Sequence, residues 1–289
     1  MQFIFLLITG LFMLNDTDAA EHIDVQGHRG ARAVLPENTL AAFEYALTLG
    51  VDTLEFDMAV SKDGVVVISH DQKINPTLCQ YKNGDAVIGD LWIHQLSLQE
   101  IKQFDCGSKQ NPRFKNQKTV PGADIPTLAD VFELVSTSEA ANANRVLFNI
   151  ETKSDPRSDH AQPSPDDFVA AVYDVIKQYG FEHRVTLQSF DHRTLLSAAS
   201  IAPELQRSAL FKNAPNDWLE AALDADAHIV SPHHRIIDRK SVTAMQDEGL
   251  AVVPWTANSK RQWSRLLKLG VDGIITDDPK GLLEYLERL

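Results

Sequence analysis

The sequence predicts an α/β fold, a (β/α)8 barrel of the TIM type with a small inserted subdomain after the third strand. Three observations predict it. Short β-branched or apolar runs alternate with amphipathic stretches along the chain, the rhythm of repeated strand–helix units. One adjacent pair of strand-like runs is joined by a tight-turn signal rather than a helix, which reduces nine runs to eight barrel strands. The length of 289 residues suits one such barrel, typically of about 250 residues.

The strand-like runs are Ile23–Gln26, Thr53–Phe56, Val65–Ser69, Val146–Ile150, Val185–Gln188, Ser208–Phe211, His228–Val230, Ala251–Trp255 and Gly273–Ile275. Helices are expected over Leu40–Leu49, Leu128–Val135, Pro165–Tyr179, Arg193–Ile201, Asp238–Glu248, Lys260–Leu269 and Pro279–Leu289. Between the second and third runs lies only "SKDG", and Asp63-Gly64 signals a two-residue hairpin with positive φ at both positions. On that turn Lys62 pairs with Val65, which sets Asp57 opposite His70 and puts Glu55 on the same face. From Gln72 to about Gly122 the rhythm gives way to Asn, Gly, Lys, Gln and Pro, and this stretch reads as the insertion. It follows a barrel strand, on the side where α/β barrels carry their functional loops. A second polar loop runs from Ser154 to Pro165.

The formal net charge of −13 leaves no broad basic surface for a nucleic-acid backbone or an anionic membrane. An anionic substrate must therefore meet a local cationic site. Phe3–Leu14 is an apolar run too short to span a bilayer, and small residues at Ala19-Ala20 follow it. Residues 1–19 thus read as a signal peptide and 20–289 as the barrel domain, periplasmic or secreted, with no integral membrane segment in the mature chain. Nothing in the sequence sets the oligomeric state. Cys79 and Cys106 both fall in the insertion; exported, they can pair, whereas in a reducing compartment they are two free thiols.

Polar residues gather at strand ends. Glu55, Asp57 and Glu151 point toward one space and would repel without a cation, and an all-oxygen ligand set selects one hard divalent ion, Mg²⁺ or Ca²⁺. A salt-bridge role with Lys153 and Arg29 is the alternative. His28 and His70 have the intrinsic pKa that general acid–base chemistry requires, whereas His22, His94 and His160 stand without such company. Arg29 and Lys153 supply fixed positive charge for phosphoryl oxygens. Asn38 or Thr39 is placed to cap the first helix.

The motifs "GHRG" with "PENT", "LEFDMAVSKDGVVVISHD", "NIETK", "WTAN" and "ITDDP" occur in that order from Gly27 to Pro279. Together they resemble the glycerophosphodiester phosphodiesterase family. The resemblance implies a (β/α)8 barrel that hydrolyses glycerophosphodiesters to an alcohol and sn-glycerol 3-phosphate with a divalent cation. Carried over by motif, it implies His28 and His70 as the acid–base pair, Glu55, Asp57 and Glu151 as metal ligands, and Arg29 and Lys153 as phosphate contacts. It also implies a pocket role for Trp255, with Gln188 a further pocket residue. Thr152 and Ala257 depart from the pattern, on the faces away from the motif side chains. The attacking group, water or the glycerol 2-hydroxyl, stays open. The competing readings are a lysophospholipase D or phospholipase-like enzyme on lipid substrates, and a binding protein that keeps the fold without turnover.

Overall fold

Side chains along Thr53–Val60 alternate: Leu54, Phe56 and Met58 join the main hydrophobic core, whereas Glu55 and Asp57 are as deeply buried but stand outside it. A strand buried on both faces, one apolar and one polar, belongs in a barrel whose helices cover the outside and whose interior is put to chemical use. The computed structural model describes residues 22–289, so the expected signal peptide lies outside the described residues. The chain runs β1 (Asp24–His28), α1 (Leu40–Leu49), β2 (Thr53–Val60), β3 (Val66–Ile68), β4 (Gln80–Tyr81), α2 (Leu98–Ile101), β5 (Phe104–Asp105), α3 (Leu128–Thr137), β6 (Leu147–Thr152) and α4 (Pro165–Tyr179). It continues through β7 (Val185–Ser189), α5 (His192–Ile201), β8 (Gln206–Phe211), α6 (Trp218–Asp224), β9 (Ile229–Pro232), α7 (Arg239–Asp247), β10 (Ala251–Val252), α8 (Lys260–Leu269), β11 (Gly273–Thr276) and α9 (Pro279–Leu286).

Eight strands pair in parallel in the order β1, β2, β6, β7, β8, β9, β10, with β11 on the other side of β1. Bonds from Asp272 N to Val252 O and from Ile275 N to Pro254 O bring β10 and β11 together and close the ring. The outward faces meet the helices through aromatic rings. Phe43 of α1 lies 5.2 Å edge-on from Phe56 of β2, and Phe132 of α3 lies 4.9 Å from Phe148 of β6. Helix ends follow their local chemistry: Ser164 caps α4 ahead of Pro165, and Gly180 ends it in the left-handed conformation that a Cβ disfavours. Among the described residues no helix is long and apolar enough to cross a membrane.

Two features correct the sequence reading. The hairpin between β2 and β3 has three loop residues, not two: Ser61 pairs with Val65, Gly64 N donates to Ser61 O, and only Gly64 has positive φ, at 80°. An Asp-Gly pair suits either loop, because in both the glycine takes the left-handed position. The register therefore moves by one, and Ser69 rather than His70 lies opposite Asp57, with Ser69 N donating to Asp57 O. The chain also forms α6, which the sequence reading lacks; its seven residues bury only Ala222 fully, too little for an amphipathic pattern to emerge.

The segment between β3 and α3 builds a second small core from Ile74, Val87, Ile93, Ile101 and Phe104 against Ala59 and Val67. Its β4 and β5 pair antiparallel, and Cys79 and Cys106 are joined by a disulfide.

Candidate active site

The loop after β1 is wound tightly enough to need its glycines. A Cβ on Gly27 would stand 2.4 Å from Gly30 O, and Gly30 itself has φ of 84° against Ala42 of α1. Arg29 and Asn38 also adopt left-handed φ, 53° and 58°, a cost that surrounding contacts must offset. Here the contacts are bonds into the site. Arg29 N donates to Glu55 Oε2 at 3.0 Å, and Asn38 N donates to Arg29 O. Thr39 caps α1, which leaves the Asn38 amide free to donate to Asp57 Oδ2 at 3.0 Å.

At the C-terminal mouth of the barrel, oxygens of Glu55, Asp57 and Glu151 lie within 4.8 Å of one another, and all three side chains are buried. Register brings them there: β2 and β6 set Asp57 beside Glu151, and the pleat puts Glu55 one step deeper on the same face. Arg29 Nε stands 3.1 Å from Asp57, and Lys153 Nζ stands 2.7 Å from Glu151 and 3.7 Å from Asp57. Burial, then the Asp57 charge, pushes the Glu55 carboxyl well above the usual carboxylate range. Burial would raise Asp57 too, but Arg29, His70, Lys153 and the Asn38 bond outweigh it and hold this carboxyl well below its ordinary value. Asp57 Oδ1 is buried without a hydrogen-bond partner. A buried carboxylate oxygen that accepts no hydrogen bond, beside two further carboxylates, is a donor set that fits a hard divalent cation.

Each histidine is anchored at Nδ1. The His28 ring meets Asp277 Oδ1 at 2.5 Å and presents Nε2 toward Glu55, 3.9 Å away. Burial pulls its pKa down to about 4 against the opposing pull of Asp277, so the ring is neutral near pH 7. His70, half exposed, meets Asp71 Oδ1 at 2.8 Å, and Asp71 in turn accepts from Asn75 at 2.7 Å. Arg32 Nε forms an ion pair with Asp277 at 2.8 Å, and Asn258 Nδ2 donates to Asp277 at 2.7 Å. Burial would raise this carboxyl, but His28, Arg32 and Arg29 bring it down to about 2. One cavity is lined by both histidines, Glu55, Glu151, Arg29 and Lys153.

A family model described as the glycerophosphoryl diester phosphodiesterase family matches residues 28–281. The chain belongs to this family. A glycerophosphodiester phosphodiesterase of Caldanaerobacter subterraneus subsp. tengcongensis is 34% identical over 264 residues, which covers 91% of this chain and 98% of that protein. A crystal structure from Silicibacter pomeroyi, named for the same family, matches with a TM-score of 0.86 at 29% identity over 93% of this chain and 94% of that one. An Oleispira antarctica phosphodiesterase, solved in complex with the product sn-glycerol-3-phosphate, matches with a TM-score of 0.76 at 26% identity over 91% of this chain and 96% of that one.

Against the family resemblance, the structure brings His28, His70, Arg29, Lys153, Glu55, Glu151, Gln188 and Trp255 onto one cavity wall, with Asp57 buried directly behind. Gln188 is 1% exposed and donates to Glu55 Oε1 at 2.7 Å. Trp255 donates its indole N–H to Ser231 O and meets Phe190 edge-on at 5.5 Å, forming an apolar wall. Sequence reasoning missed Asp277, Asn258 and Arg32. The first two stand in motifs already recognised, "ITDDP" and "WTAN", so the signal was present without its partner.

Proposed function

We propose that this enzyme hydrolyses glycerophosphodiesters to an alcohol and sn-glycerol 3-phosphate, with one divalent cation, Mg²⁺ or Ca²⁺, held by Glu55, Asp57 and Glu151. The observation that carries the reading is the pairing of this buried carboxylate triad with two histidines whose Nδ1 atoms are each fixed by a carboxylate. When bound, the cation supplies positive charge to the phosphoryl oxygens. Arg29 and Lys153, paired with Asp57 and Glu151, hold these carboxylates in place and add positive charge to the same cavity wall. Gln188 orients Glu55, and Trp255 with Phe190 gives the glycerol carbons an apolar surface. With Nδ1 committed, each imidazole has Nε2 for the reaction: one accepts the proton of the attacking hydroxyl, the other delivers a proton to the leaving alkoxide. The chain is also proposed to be exported, on the strength of the Phe3–Leu14 run and of the Cys79–Cys106 bond, which suits an oxidising compartment.

The test is release of sn-glycerol 3-phosphate from glycerophosphocholine in EDTA, then with Mg²⁺ or Ca²⁺ restored. Release only with the ion is expected; equal release in EDTA removes the ion from the reaction. His28→Ala and His70→Ala should each lower turnover by roughly a hundredfold or more. The variant whose defect shrinks with a nitrophenol leaving group has lost the proton donor. Turnover of lysophosphatidylcholine alone would move the substrate to lipids.

A further inference from the structure

The interior charges of the site are already engaged with one another, yet its mouth carries cations that are not. Lys212 follows β8, Arg235 follows β9, and Arg113 reaches in from the segment between β3 and α3; all three are exposed, and all line the same cavity as His28 and Glu151. Among the described residues none of them has a carboxylate within salt-bridge distance. Lys212 and Arg235 flank one ring: burial, then the charges of Arg235 and Lys212, lowers the pKa of His233. Arg113 faces Arg32 closely enough to disfavour its charge. The acids on this side are matched locally, Asp155 by Arg157 and Asp191 by Arg193, each at 2.7 Å. Among the described residues, the only carboxylates lining the cavity itself are Glu55 and Glu151.

What sets these three exposed cations apart is their convergence: they come from three separate loops onto the mouth of one cavity in a chain of net charge −13. The floor of the cavity is closed by Glu55 and Gln188, so any bulky substituent of a bound phosphodiester must extend outward to this rim. A trimethylammonium group there would meet repulsion and no anion. A phosphate there would meet guanidinium forks and an ammonium.

We infer that the rim formed by Arg113, Lys212 and Arg235 selects glycerophosphodiesters whose leaving alcohol carries a further negative charge, such as a phosphorylated polyol. The inference rests on the proposed hydrolysis and deepens it by naming the class of alcohol. Exposed cation–anion pairs each change affinity a few-fold, so three together should give about a tenfold preference, weakening as salt shortens the screening length.

The experiment compares kcat/KM for three substrates, glycerophosphoinositol 4-phosphate, glycerophosphoinositol and glycerophosphocholine, on the wild-type protein and on R113A/K212A/R235A. The expected result is about tenfold higher kcat/KM for the phosphorylated inositol at low salt. In the triple variant that preference should vanish while glycerophosphoinositol turnover stays within about twofold. Equal kcat/KM for the two inositol substrates on the wild type overturns the inference and leaves hydrolysis standing. A triple variant that loses activity equally on all three substrates also overturns it, since the rim then attracts any phosphodiester without reading the alcohol. No turnover of any substrate with the divalent ion present overturns the hydrolytic reading and this inference with it. An unchanged melting temperature for the variant shows that it is folded.

Discussion

Replacing Asp277 by Asn tests how His28 is held, because this carboxylate is met by a histidine nitrogen, a guanidinium and an amide N–H. The His28 ring and Arg32 Nε converge on Oδ1 at 2.5 and 2.8 Å, and Asn258 Nδ2 reaches Oδ2 at 2.7 Å. Asn258 cannot turn its amide to compensate, since its Oδ1 already accepts from Asp277 N at 2.8 Å. In Asp277→Asn the new NH2 group either opposes the Asn258 amide or sits against the Arg32 guanidinium and bonds His28 only if the ring changes tautomer. One buried mismatch costs about 1–3 kcal/mol, and at about 2–4 °C per kcal/mol for a chain of this size the melting temperature should fall by several degrees. The larger effect falls on turnover. Without an anion at Nδ1 the ring loses both its fixed tautomer and the charge that stabilises its protonated form, so kcat should drop by about 10²–10⁴, the range of acid–base catalysis. Divalent-ion affinity, read by calorimetry, should stay close to wild type, because Asp277 is not one of the clustered carboxylates. Wild-type kcat in a variant with lowered melting temperature would refute the reasoning: His28 would then need no anchor.

Glu151→Gln should weaken divalent-ion binding while Lys153, deprived of its 2.7 Å partner, keeps only the longer approach to Asp57; an unchanged ion titration would reduce Glu151 to a salt bridge. Buried His234 has its pKa lowered to about 4, by burial first and then by His233, Arg235 and Arg265. Unfolding therefore takes up a proton between about pH 6.5 and 4, so wild-type stability relative to His234→Gln should decline across that window by at most about 3 kcal/mol. Parallel pH–stability curves for the two proteins would sink that assignment.

The barrel was legible because its outer faces repeat: Leu54, Phe56 and Met58 alternate with Thr53, Glu55 and Asp57 in a way only a strand can satisfy. The register of the hairpin was not, since two-residue and three-residue loops share the same Asp-Gly signal. His70 nevertheless reaches the cavity, because the chain leaves β3 after Ile68 and the pleat no longer dictates its direction. The clustered carboxylates and both histidines were readable from residue type at strand ends. Their supports were hidden by distance along the chain: Asp277 lies 249 residues from His28. Side by side, Asp277 and Asp278 look like one capping signal, yet Asp278 alone caps α9 while Asp277 turns inward. Asn38 and Thr39 divide the same way, one into the site and one onto the helix. Lys212 and Arg235 gave no signal at all, as single loop cations are unremarkable until the barrel brings them together.

Charge balance links the cation to the rim. The inner network holds five carboxylates, Glu37, Glu55, Asp57, Glu151 and Asp277, against three cations, Arg29, Arg32 and Lys153, with His28 neutral. Two negative charges are left over in a buried space, and burial first, then the neighbouring Asp57 and Glu151 charges, raises the Glu55 pKa. The proposed divalent cation, bound by Glu55, Asp57 and Glu151, would offset that surplus without a proton. The single negative charge of an entering phosphodiester would then be met by that cation with Arg29 and Lys153, which line the same cavity. A second negative charge, carried by the leaving alcohol, finds no further cation in the inner site, and Arg113, Lys212 and Arg235 at the mouth are placed to meet it. Carboxylate partners on these three cations would cancel the charge with which the mouth reads the alcohol.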